Sequence, residues 1–179
     1  SHSLRYCLTA VSAPGFGIPE YSEIGYVDDQ EIVNYNSVSR RMSPRVEWMK
    51  MEGAEYWEDS TNRARGNEAV FRFNVKILME RFNQTGGFHS LQWMYGCELG
   101  DDGSIRVYDQ DGYDGGEFMA LDTQTWTYTA TMNQAQITAQ RWNSPDVQVG
   151  ERNRNYLENT CIEWLKKYVE YGREDLERR

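Results

Sequence analysis

Residues 155–172 read NYLENTCIEWLKKYVEYG, and their spacing decides how the rest of the chain is organised. Leu157, Cys161, Leu165 and Val169 recur every four residues, which suits a helix laid on a sheet. One residue earlier runs a second stripe, Tyr156, Thr160, Trp164 and Tyr168. At about 100° per residue it sits beside the first, turned away from the sheet. Glu158, Lys166, Lys167 and Glu170 fill most of the solvent side. Two readings account for the extra aromatics: a wide helix in a deep core, or a helix forming one wall of a cleft.

The 179 residues are 39% hydrophobic, with six Trp and twelve Tyr, which is enough to fill a core. That length suits one generous domain or two tightly joined halves. A net charge of −9 argues against nucleic acid as a partner. No run of about 18 apolar residues occurs, so no membrane span is expected within these residues. The opening SHSLRY reads as a processed N-terminus, and the polar REDLERR at the end suggests a longer parent chain.

Three cysteines suggest one disulfide and one spare thiol. Cys97 ends the strand-like LQWMYGC, and Cys161 lies on the sheet-facing helix stripe. A bridge between them would pin helix to sheet. It would close a loop of roughly 65 residues, worth about 4 kcal/mol in the chain-entropy model, and imply an oxidising compartment. Cys7, opposite in parity to Tyr6, is expected under the sheet as a free, buried thiol. Asn83-Gln84-Thr85 is a glycosylation acceptor sequence.

A faint duplication organises the whole chain. His2-Ser3-Leu4 returns as His89-Ser90-Leu91, and Gly25-Tyr26 as Gly112-Tyr113, both at the same spacing. The helical patterns beginning at Asn74 and Cys161 keep that spacing too. Coincidences at one offset argue for two copies of one unit, residues 1–87 and 88–179, joined at Gly86-Gly87. Each reads as short strands followed by a long helix, an α+β class.

In the first unit Leu4, Tyr6, Leu8 and Ala10 share one strand face. Strands are expected near 21–27 and 31–36, an irregular stretch at 40–50, and a helix over 56–82 stopped by Gly86-Gly87. That helix also carries two stripes. Trp57, Thr61, Ala64, Phe71, Val75, Leu78 and Phe82 suit the sheet side, while Ser60, Arg63, Asn67, Val70, Asn74, Ile77 and Arg81 form a mixed neighbouring lattice. A core would not accept those polar groups without partners, whereas a cleft wall would. In the second unit strands are expected near 91–99, 104–110, 117–121 and 126–130. A helix at 134–142, broken at Asn143-Ser144-Pro145, follows. If Cys97 points at the helices, so do Tyr95, Trp93 and Leu91. The composite is one sheet crossed by two long helices, with a groove floored by Tyr6, Leu8, Trp93 and Tyr95.

These residues resemble the alpha-1/alpha-2 platform of major histocompatibility complex class I heavy chains. SHSLRY, GYVDD, EYW, FNQTGG, MYGC, YDG and YLENTCIEWLKKY stand in that family's order and spacing over essentially the whole chain. The resemblance implies one eight-stranded antiparallel sheet topped by two helices, a Cys97–Cys161 disulfide and glycosylation at Asn83. It implies antigen presentation, beta-2-microglobulin under the sheet and T-cell receptor contact with the helix tops. It also implies assembly in the endoplasmic reticulum, display at the cell surface, and a membrane anchor beyond Arg179. No enzyme activity, metal or cofactor is implied.

Residue by residue, Tyr6, Tyr56, Tyr156, Thr160, Trp164 and Tyr168 match the family's contacts to a peptide amino terminus. Asn74, Ile77, Arg81, Thr138, Arg141 and Trp142 match those at the carboxyl terminus. Arg81 stands where Tyr is usual in mammals and resembles non-mammalian vertebrate members; Arg141 replaces the usual Lys. Leu8, Glu23, Met42, Ser60 and Arg63 match the pocket for an early side chain, where Glu23 favours a basic or polar anchor unless Arg63 neutralises it. Asn74, Ile77, Leu78, Leu91, Asp111 and Phe118 match the pocket for the last one. Asn67, Val70, Trp93, Tyr95, Asp109, Val149 and Arg152 complete the expected walls and floor. Asp109 and Asp111 would meet a basic ligand group, Arg152 or water. The competing reading is a specialised class I-like protein presenting lipid or a small molecule, or with a groove left empty.

Overall fold

Strand β1 (His2–Val11) lies at the centre of the sheet in the computed structural model, which describes residues 1–15 and 17–178. On one side follow β2 (Tyr21–Val27), β3 (Gln30–Asn36) and the short β4 (Ser43–Pro44). On the other lie β5 (Ser90–Leu99), β6 (Ile105–Tyr113), β7 (Gly116–Asp122) and β8 (Thr127–Ala130). All eight strands form one antiparallel sheet, ordered β4-β3-β2-β1-β5-β6-β7-β8. β4 is absent from the sequence reading because two residues ending in Pro carry no alternation.

The duplication is visible in side-chain chemistry. The His2 ring nitrogen Nδ1 lies 2.9 Å from Asp28, and His89 Nδ1 lies 2.8 Å from Asp114. Each aspartate also accepts the next backbone N–H, from Ser3 and Ser90. Both take the left-handed backbone, with φ of 55° and 50°. The same clasp therefore closes the same corner in each half.

Helix α1 (Ala54–Arg81) crosses the sheet. It stops before Gly86-Gly87, at Asn83, whose φ of 56° supports two closing bonds: Asn83 N–H to Glu80 O and Gln84 N–H to Met79 O. The second wall comprises α2 (Gln136–Asn143), α3 (Val149–Asn155), a wide π turn (Tyr156–Thr160) and α4 (Cys161–Tyr171), followed by α5 (Arg173–Glu177). The π turn suits the sequence: four-residue repeats drift about 40° per step in an α-helix, and one wide turn takes up part of that drift. Leu157, Cys161 and Leu165 are buried as a result. α3 begins tight against the sheet edge because Gly150 has no side chain; a Cβ there would collide with the Trp126 carbonyl oxygen.

Cys97 and Cys161 are bonded, with Cα atoms 6.2 Å apart. This fixes the helix-facing side of the sheet. Tyr95, Trp93 and Leu91 share that side by parity, with Tyr6, Leu8 and Ala10 beside them on β1, and Asp109, Asp111 and Tyr113 on β6. Cys7 is free and half-buried rather than fully buried, on a strand position of opposite parity.

Candidate functional site: a cleft closed at both ends

The two helical walls touch at their ends and part between them. At one end the Tyr56 and Tyr168 hydroxyls share a hydrogen bond of 2.7 Å. The Trp164 ring lies 5.6 Å from Tyr56 and 5.5 Å from Tyr168, and Lys167 pairs with Glu52 at 3.0 Å. At the other end Arg81 reaches from α1 to the opposite wall, donating to Thr138 Oγ1 at 2.7 Å and to Gln134 O at 3.1 Å.

The first closure is phenolic. Burial pushes the Tyr6 and Tyr95 hydroxyls well above the ordinary phenol value and that of Tyr156 up to about 12. Tyr168 is raised as well, by burial first and then by Tyr6 and Tyr56. Every one of these groups is neutral near pH 7, able to donate and accept hydrogen bonds but not to carry charge.

An aromatic ridge crosses the middle of the floor. Phe71 on α1 stacks with Trp93 at 6.5 Å, Trp93 meets Tyr95 at 4.5 Å, and Tyr95 stacks on Tyr6 at 5.4 Å. Tyr156 closes the row edge-on to Tyr95. Toward the Arg81 end lies a cavity of about 550 Å³. It brings together Asn74, Ile77, Leu78, Leu91, Asp111 and Phe118, with Arg81, Thr138, Arg141 and Trp142. Asn67, Val70, Trp93, Asp109 and Val149 also line it.

Residues 1–176 match the family model for the class I histocompatibility antigen, domains alpha 1 and 2. The chain belongs to that family. It is 47% identical over 179 residues to the class I histocompatibility antigen F10 alpha chain of Gallus gallus, covering 99% of this chain and 51% of that one. Identity is 47% over 175 residues to the H-2 class I K-B alpha chain of Mus musculus, covering 96% of this chain and 47% of the relative. It is 45% over 182 residues to a class I C alpha chain of Saguinus oedipus, covering 99% and 49%. The chain thus spans about half the length of these relatives. Class I antigens are not enzymes. No helix among the described residues is long and apolar enough to cross a membrane.

Within this class I platform the acidic floor is held in a way the sequence did not announce. Asp109 accepts hydrogen bonds from Trp93 Nε1 at 2.6 Å, the Tyr128 hydroxyl at 2.7 Å and Asn153 Nδ2 at 3.2 Å. Tyr128 is in turn held by Asn143, which bonds its backbone N–H and carbonyl. Burial still raises the Asp109 carboxyl, and those three donors oppose the rise. Arg152 is exposed, lines neither this cavity nor the smaller one beside Tyr156, and pairs with no aspartate among the described residues. Its neighbour Asn153 faces the floor instead, one step round the helix.

The early-side-chain set sits nearer the phenolic end. Leu8 is fully buried, and Met42 donates its backbone N–H to Thr61 Oγ1. Ser60 spends its hydroxyl on the Tyr56 carbonyl. Glu23 accepts from the Tyr21 hydroxyl at 2.7 Å and from Asn67 Nδ2 at 3.0 Å. Neutral donors therefore satisfy it; Arg63 is exposed and acts only at a distance, as the smallest influence on the Glu23 carboxyl.

Proposed function

We propose that the cleft holds a short peptide for display to a T-cell receptor, with beta-2-microglobulin beneath the sheet. The observation that carries this reading is the chemical difference between the two closures. Neutral phenols surround one end, where Tyr6, Tyr56, Tyr156, Thr160, Trp164 and Tyr168 would receive an ammonium through hydrogen bonds and apolar ring edges. Arg81 and Arg141 stand at the other, where guanidinium donors suit a carboxylate. Arg141 has no ion-pair partner among the described residues; Asn74, Ile77, Thr138 and Trp142 would frame the same terminus. Contacts to termini permit many sequences, and side-chain pockets choose among them.

The spacing supports the ligand size. Between Tyr56 and Arg81 the axis of α1 runs about 37 Å at 1.5 Å per residue. Allowing for the closing side chains, an extended chain fills that distance with roughly eight to ten residues. Beneath the sheet, Arg5 Nε is buried without a hydrogen-bond partner, which supports a docking subunit on that face. Residues 1–87 and 88–179 are read as the alpha-1 and alpha-2 halves of one platform, carried at the cell surface by an anchor beyond Arg179 and glycosylated at the exposed Asn83.

Acid elution from the chain co-expressed with beta-2-microglobulin tests the reading. A set of peptides of that length is expected. Lipid, a single small metabolite or no ligand would overturn it in favour of a specialised class I-like role.

A further inference from the structure

The second wall is broken where the first is continuous. α2 stops at Asn143, Ser144 is extended, and Gln148 takes the left-handed backbone with φ of 43° before α3 begins. Pro145 bars the helix from running through. A short irregular link between two short helices is where a wall would bend, because a few terminal residues can absorb the change in φ and ψ. Thr138, the partner of Arg81, sits on the α2 side of the link, so bending there would part the closure at that end.

One residue of the sheet holds both sides of the link. β8 is the last strand of the sheet, and Tyr128 lies buried within it. From the end of α2, Asn143 accepts the Tyr128 backbone N–H at 2.7 Å and donates to the Tyr128 carbonyl at 2.9 Å. Its side-chain amide thereby supplies the acceptor and donor that a further strand would offer. From α3, Asn153 donates to the Tyr128 hydroxyl at 2.7 Å, and that hydroxyl donates to Asp109 on β6 at the same distance. The Tyr128 ring packs edge-on against Trp142, the residue before Asn143. The link's own backbone bonds stay local, with Ser144 N–H on Arg141 O, and Val147 and Gln148 N–H on Ser144 O.

We propose that Asn143 is a positioning residue for the closure at the Arg81 end: through Tyr128 it fastens α2 and α3 to the sheet as one unit and keeps the wall from bending at residues 144–148. The two ties are not equivalent. Asn143 grips backbone and so fixes where the Tyr128 ring stands, whereas Asn153 grips the hydroxyl at the far end of that ring. Losing the first tie releases both helices; losing the second releases α3 alone. Every group in this latch belongs to the chain, so it acts whatever fills the cleft.

Amide hydrogen exchange on the full chain, with whatever subunit and ligand it retains on purification, tests this. Asn143→Ala is expected to speed exchange about tenfold in residues 136–143 and 149–155, the effect of losing one or two hydrogen bonds. Helix α1 and residues 161–171 should stay within about twofold of the parent, because local openings are confined to the released segments. Tyr128→Phe, which keeps the backbone groups, is expected to speed exchange in 149–155 and leave 136–143 unchanged. It keeps the experiment decisive should Asn143→Ala fail to assemble. Because the two ties act in series, the double variant should exchange in 149–155 no faster than Asn143→Ala. A rise spread evenly over all helices would mean that Asn143 contributes only global stability, and overturns the proposal. So does an unchanged rate in 136–143 of Asn143→Ala, a rise there in Tyr128→Phe, or fully additive effects in the double variant.

Discussion

The two ends of the cleft are closed by opposite strategies. At the Tyr56–Tyr168 end, beside the Lys167–Glu52 ion pair, phenol hydroxyls bond one another and rings pack on rings, so the phenolic groups are neutral and mutually satisfied. At the Arg81 end, charges are placed at different depths: guanidiniums on the walls, an Asp109 bonded by three donors, and an Asp111 with no hydrogen bond or ion pair among the described residues. Neutral networks hold a site ready across a wide pH range, because nothing in them titrates near pH 7. Charged ones select, because an unmatched charge in a recess is expensive. On the proposed reading the first end would accept any amino terminus and the second would discriminate.

The largest expected effect breaks the phenolic end as a whole. Cys161→Ser unties α4, which carries Trp164 and Tyr168, from β5. Loss of the crosslink is expected to reduce stability by about 4 kcal/mol and to impair assembly. Thermal unfolding of the mutant alongside the parent under oxidising conditions checks this, and equal melting temperatures would contradict it.

A middle-sized effect strips the discriminating end of one donor. Tyr128→Phe removes a hydrogen bond to a buried carboxylate while keeping the ring that packs 5.1 Å from Trp142. The expected loss is about 2 kcal/mol, the range for hydrogen bonds to charged groups. Denaturant titration at pH 7 reads it directly; a shift indistinguishable from zero would mean that Asp109 finds another partner.

The smallest effect has the opposite sign and sharpens the contrast. Burial, and then the Asp109 charge, raise the Asp111 carboxyl well above its ordinary value. A carboxyl whose folded value is raised favours the folded state below its unfolded value of about 3.9, and that advantage is lost as pH rises through the folded value. Asp111→Asn removes this dependence. Without ligand, the variant is expected to be more stable than the parent at pH 7, because it no longer has to ionise a carboxyl that burial disfavours. The gap should shrink as pH falls toward 4. Stability curves measured over that range would refute the idea if the gap were constant or inverted.

Much of this architecture is written in local spacing. In the four-residue stripe Leu157, Cys161 and Leu165 are buried and Val169 is half-buried, and the parity of Cys97 places Tyr95, Trp93 and Leu91 on the helix side. Repeated His2 and His89 mark repeated corners because each needs the same aspartate clasp. Such features are legible because periodicity and turn chemistry act over a few residues. The end of α1 was also local and legible to within a residue, but its stop signal was not: Asn83 takes the left-handed conformation before Gly86-Gly87 is reached.

The sequence by itself determined which faces are apolar, where the chain repeats and which residue types gather along the two helices. Only the tertiary structure decided who satisfies whom. Tyr128 and Asn153, on β8 and α3, both reach Asp109, whereas Asp111, two residues along the same strand, is reached by neither. Arg81 closes the cleft because Thr138 stands across it. These pairings join residues far apart in the chain. They depend on register, helix phase and a wide turn at Tyr156–Thr160, and a shift of one residue in any of them would exchange one partner for another.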